Sequence, residues 1–166
     1  MDMIETSVER GSHPVDAVEY VADSNKWSFE RSAQDEITIL VQGIWTDYNV
    51  SFSWMEDFEA LHIACAFDMR VPKKRAVETM RLIQLVNEQM LFGHFESWLE
   101  DGTVMFRHAV PLSGGAEANE AQIECCLQSA LRSCERYYQA FQFVVWAGKP
   151  ATEALDSVLF DTVGEA

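Results

Sequence analysis

Positive charge is scarce in this sequence. Its 166 residues carry 12 Lys and Arg against 27 Asp and Glu, a formal net charge of −15, with a pI near 4.5. Backbone phosphates repel such a surface, which argues against a nucleic-acid binder. Long apolar runs are missing as well. None approaches the roughly 20 residues a bilayer crossing needs, so no membrane partner is expected. The opening MDMIETSVER is acidic and lacks an apolar segment, so it does not read as a secretory signal. There are only four cysteines, Cys65, Cys125, Cys126 and Cys134, and no Cys-x-x-Cys pair. That excludes a compact zinc clip. Their apolar neighbours suggest reduced, buried thiols in a cytoplasmic protein. A glycine-rich phosphate loop and a Gly-x-Ser-x-Gly elbow are both absent. His13, His62, His94 and His108 stand singly, with no partner at i+2 or i+4 to preassemble a metal site. No catalytic residue, cofactor or metal ligand is therefore assigned.

What is present is material for a core: 48 % of the residues are hydrophobic and 11 % aromatic. One domain is the expectation for this length. Residues 1–12 show no hydrophobic period and read as a disordered tail; residues 13–164 read as a single domain. Pro14 suits a first helical turn, and Val15, Val18 and Val21 give a helix ending near Ser24-Asn25. Ile37, Ile39 and Val41 then alternate with polar or exposed positions, as do Tyr48, Val50, Phe52 and Trp54, and again Leu61, Ile63, Cys65 and Phe67. A short extra strand fits around Phe29. Folding the second and third runs into a hairpin sets Trp54 opposite Leu61 and Phe52 opposite Ile63, with both apolar sets on one face. The other face carries Asn49, Ser51, Ser53, His62, Ala64 and Ala66, which are small or weakly polar.

From Pro72 to about Leu91 the sequence predicts a second helix, with Ala76, Met80, Ile83, Asn87 and Met90 as its buried stripe, widened by Val77 and Val86. Asp101-Gly102 predicts a two-residue hairpin turn that sets Glu96 across from Arg107. A long third helix begins near Asn119. Its stripe of Ile123, Leu127, Ala130, Cys134, Tyr137, Phe141 and Val144 recurs at spacings of four and three. Gly148 ends it, and Pro150 opens a fourth helix with Leu155, Val158 and Leu159 on its apolar side. The order α-β-β-β-α-β-β-α-α gives an α+β fold, a single antiparallel sheet covered by helices.

One charge feature stands out. Arg70, Lys73, Lys74, Arg75 and Arg81 gather five of the 12 cations around the start of the second helix. They form a candidate patch for an anion or an acidic partner, although compensation of nearby acidic residues would explain them equally well.

Several strings resemble the YbjN-domain family, described as bacterial sensory-transduction regulators. They are Trp45-Thr-Asp-Tyr48, Glu59 to Asp68, Leu85-Val-Asn-Glu88, Gly93-His-Phe95, Val104 to His108, Cys134 to Tyr138 and Phe141 to Lys149. The resemblance spans roughly residues 13–164. It implies a fold similar to type III secretion chaperones, often dimeric, and a surface that meets other proteins. It supplies no catalytic or ligand-binding residue. The resulting expectation is a non-enzymatic protein-interaction module, regulatory or chaperone-like, forming a homodimer. The alternative is a small-ligand sensor or enzyme with a site near the second helix and the histidine-bearing strands.

Overall fold

Alternating side chains build the sheet, and helical stripes cover one face of it. The computed structural model describes residues 9–164, with side chains to Phe160. The helices are α1 (Pro14–Ser24), α2 (Ala76–Asn87), α3 (Glu120–Val145) and α4 (Ala151–Gly164). The strands are β1 (Ser28–Ala33), β2 (Glu36–Gln42), β3 (Asp47–Met55), β4 (Ala60–Arg70), β5 (His94–Trp98) and β6 (Thr103–Pro111). All six join one antiparallel sheet in the order β1-β2-β3-β4-β6-β5. The fold is α+β, as the alternation of patterns requires. The strand around Phe29 is present as β1, so four strands precede α2.

The β3–β4 hairpin has the expected register, with Phe52 paired to Ile63 and Trp54 to Leu61. Tyr48, Val50, Phe52, Leu61, Ile63 and Cys65 are all buried on the helix-covered face. The stripe of α3 is buried against them from Ile123 to Val144. Asn119 caps this helix reciprocally with Gln122: the Asn119 side chain accepts from the Gln122 N–H, and the Gln122 side chain accepts from the Asn119 N–H. The additional apolar residues Tyr138 and Val145 are buried too. They pack inside the chain, where α1, α2 and α4 all contact α3. One chain thus covers the whole seam, and the seam itself calls for no second subunit.

Three expectations need correction. The α2 helix starts at Ala76, after a short 3-10 turn at Lys73–Arg75, and stops at Asn87. Its buried residues are Thr79, Leu82 and Val86, while Val77 and Met80 are exposed. Thr79 can be buried because its hydroxyl donates to the Arg75 carbonyl at 2.8 Å. In the β5–β6 hairpin the register differs by two residues: His94, not Glu96, lies across from Arg107. The Gly102 N–H bonds the Trp98 carbonyl and closes a longer loop. A two-residue slip keeps every side chain on its face, so the Glu96–Arg107 ion pair still forms, diagonally, at 2.8 Å. Cys125 is exposed and Cys126 half-buried, whereas Cys65 and Cys134 are buried.

Of the segment read as an N-terminal tail, residues 1–8 lie outside the described residues. Arg10 is held in place. Its guanidinium donates to the carbonyls of Leu112 and Ala116, pairs with Glu59 at 3.2 Å and sits 4.5 Å over the Trp54 ring. The cation covers the end of the apolar face, which a tail in solvent would leave open.

Candidate functional site

Among the described residues no helix packs on the second face of the sheet. A continuous row of paired residues crosses it on all six strands: Glu30, Thr38, Ser51, Ala64, Arg107 and His94. Period-two alternation puts it there, because most apolar residues of these strands point at the helices, Leu40, Met105 and Trp98 being exceptions on the open side. The next row carries Ser53, His62 and Ala109. The centre is small and weakly polar, with the Thr38 and Ser51 hydroxyls 3.0 Å apart. The central stretch Thr38, Ser51 and Ala64 carries no carboxylate, whereas Glu36, paired to Ser53, and Asp47 stand towards the two ends of the same face.

Arg107 organises the β5 side of this face. Its Nε donates to His62 Nε2 at 2.9 Å, and its Nη1 donates to Glu96 Oε1 at 2.8 Å. Because His62 Nε2 accepts, its ring proton sits on Nδ1 and the ring is neutral. Burial and the adjacent Arg107 guanidinium both hold the His62 pKa below its ordinary value of 6.5. Burial works to raise the Glu96 carboxyl. The hydrogen bonds from Arg107 and the Trp98 indole outweigh it and keep Glu96 below the usual carboxylate range. His94 lies 3.5 Å from the same carboxylate. The group is a self-neutralised charge relay of one cation, one anion and two imidazoles. It contains no nucleophile with an activating base, and the described residues hold no cluster of three or more His, Cys, Asp or Glu suited to a metal ion.

The five cations singled out from the sequence do not converge. Arg70 reaches back over the β5–β6 loop to Thr103 Oγ1 at 2.7 Å and to Asp101. Arg81 pairs with Glu78, whose other oxygen accepts the Ala151 N–H at the start of α4 at 2.9 Å. The Arg75 guanidinium is packed against Gly148, so closely that a Cβ there would meet Nη2 at 2.3 Å. Lys73 and Lys74 are exposed between them. The chain turns from strand to helix at this point, so neighbours in sequence face different elements. His108, also considered, lies on the helix-covered face and meets the Phe92 ring edge-on at 6.1 Å. Burial lowers its pKa.

What sequence reasoning missed is a cleft where the segment after α2 faces α3, with a volume of about 190 Å³ and lining residues that include Ser129, Arg132, Ser133 and Arg136. Their spacing of three, one and three on a helix was the available signal.

Compared with known proteins, the sequence matches the model of the YbjN family, described as "Putative bacterial sensory transduction regulator", over residues 14–143. Curated proteins offer no match. Among solved structures the chain is similar to the "Crystal structure of YbjN, a putative transcription regulator from E. coli", with a TM-score of 0.54 over 81 % of this chain and 90 % of that one. At 7 % sequence identity that likeness is one of fold.

Proposed function

The chain belongs to the YbjN family, and from that premise we propose that it is a regulatory protein without catalytic activity that works by protein contact through the uncovered sheet face. The observation carrying this reading is the face itself. A six-stranded sheet normally covers both sides or surfaces one with charge. Here the middle of the uncovered side is the uncharged strip Thr38, Ser51 and Ala64, with acidic residues such as Glu36 and Asp47 set to its sides. Such a surface meets a partner without the repulsion that a net charge of −15 imposes elsewhere.

The first partner is a second copy of the chain. An isologous contact repeats one patch on both subunits and brings the uncharged Thr38, Ser51 and Ala64 strips together. A stable contact of this kind buries about 1,200–2,000 Å² in total, within reach of an open six-stranded face. The test is light scattering of the full chain after size exclusion, at two concentrations a decade apart. The expected result is a dimer that Ser51→Asp and Ala64→Glu together convert to monomer while far-UV circular dichroism stays unchanged. A single species at 18.9 kDa throughout overturns the dimer.

A further inference from the structure

We propose that the cleft between the C-terminal end of α2 and the middle of α3 binds a small phosphate monoester carrying an apolar substituent. This site is separate from the sheet face, and neither proposal depends on the other. On α3, Ser129, Arg132, Ser133 and Arg136 fall at i, i+3, i+4 and i+7, one exposed stripe beside the buried one. The segment Gln89 to Phe92 forms the facing wall.

The charge census singles these arginines out. The chain has eight arginines. Arg10, Arg31, Arg70, Arg81 and Arg107 each hold a carboxylate, and Arg75 is packed against Gly148. Arg132 and Arg136 have no carboxylate within ion-pair distance among the described residues, in a molecule with 15 surplus negative charges. Both are held by neutral groups instead. Arg132 Nη2 donates to Gln128 Oε1 at 3.2 Å, and the Arg136 guanidinium lies 5.4 Å from the Tyr137 ring centre. Tyr137 in turn donates its hydroxyl to Gln89 Oε1 at 3.4 Å, leaving the Gln89 amide nitrogen free to donate.

Two guanidinium forks with two serine hydroxyls suit a tetrahedral dianion better than a single carboxylate, because each fork can take two oxygens. The apolar part of the ligand follows from the facing wall, where Leu91 is 86 % and Phe92 49 % exposed. Size limits the ligand further. A volume of about 190 Å³ is below the ~300–1,000 Å³ of a drug-sized site. One phosphoryl group and one small ring match that volume.

Phenyl phosphate is the probe, titrated into the ¹⁵N-labelled full chain and followed by amide chemical shifts. The expected result is saturable shifts confined to residues 89–92 and 129–137, with a Kd on the order of 1 mM or tighter. Benzoate and phenol should bind about tenfold more weakly or not at all. Arg132→Gln with Arg136→Gln should weaken phenyl phosphate by about tenfold or more, while Arg81→Gln leaves it unchanged. Circular dichroism of each variant verifies the fold, which these exposed positions do not support. Absence of saturable shifts there, equal binding of benzoate, an unweakened double variant, or shifts centred on Lys73 and Lys74 would each overturn the proposal.

Discussion

Single residues do several jobs here that their type alone does not announce. Asn87 is the clearest. It closes α2, and its side chain accepts from the Phe95 N–H at 2.8 Å and donates to the Phe95 carbonyl at 3.0 Å. It thereby occupies the outer hydrogen-bonding edge of β5, where a further strand would otherwise add. Asn87→Asp keeps the shape but cannot donate, and sets a carboxylate against a carbonyl oxygen. A loss of about 1–3 kcal/mol is expected in urea denaturation, with Asn87→Gln unable to restore it because the reach is wrong. Gly43 is required for a different reason. A Cβ at that position would meet Glu135 Oε1 at 2.0 Å and the Tyr48 ring at 2.3 Å. The same carboxylate oxygen accepts the Ile44 N–H at 2.7 Å and so pins the β2–β3 turn to α3. Gly43→Ala should push that turn off the helix and lower the melting temperature, and Glu135→Gln should lower it less.

At the level of elements, the β3–β4 hairpin was legible because two runs of strict alternation have one register that buries both apolar sets. Phe52→Asp should therefore abolish folding, since an unpaired buried carboxylate costs several kcal/mol against a total of about 5–15. Ser51→Asp, on the open face, should be mild. Comparable loss of the circular dichroism signal from both would show the faces reversed. The α2 face was not legible, because a threonine satisfied by its own helix buries more readily than its polarity suggests, while Val77 and Met80 stay outside. The β5–β6 register was hidden for a similar reason: the Asp101-Gly102 turn signal is real, with Gly102 at φ +73°, but the loop closes on Trp98. The open face was half legible, as a set of small residues. Of the Arg107–His62–Glu96 relay only the Glu96–Arg107 pairing was legible, because the link to His62 joins a strand 45 residues away. That relay sets a pH response. His62 and His108 have lowered pKa values in the folded chain, so the unfolded chain binds protons first as pH falls below about 6.5. Stability should therefore drop from that point downward, well above the window below pH 4.5 in which Glu78 and Glu96 begin to protonate. Thermal melts across pH 4.5–7 should show the decline, and His62→Gln, which still offers Arg107 an acceptor, should flatten it.

For the molecule as a whole, the cation patch illustrates how far composition reaches. Five basic residues clustered in sequence are scattered by a strand-to-helix corner, and the two that share one wall of a cleft, Arg132 and Arg136, are inconspicuous in a 26-residue helix. The order of the chain has a further effect. Arg10 bonds the carbonyls of Leu112 and Ala116, and α1 docks on α3. The first helix has only 11 residues, too few to persist alone, since isolated helices need about 12–15. During synthesis, at roughly 5–20 residues per second, α1 leaves the ribosome many seconds before α3 exists to receive it. Until then Val15, Val18 and Val21 have only the early strands β1, β2 and β3 to pack on and lack the part of their cover that α3 supplies. Ribosome-bound chains stopped before Glu120 should be cut by protease within α1, and chains extended past Val145 should resist; equal cleavage of both would mean that the helix finds shelter on the sheet alone.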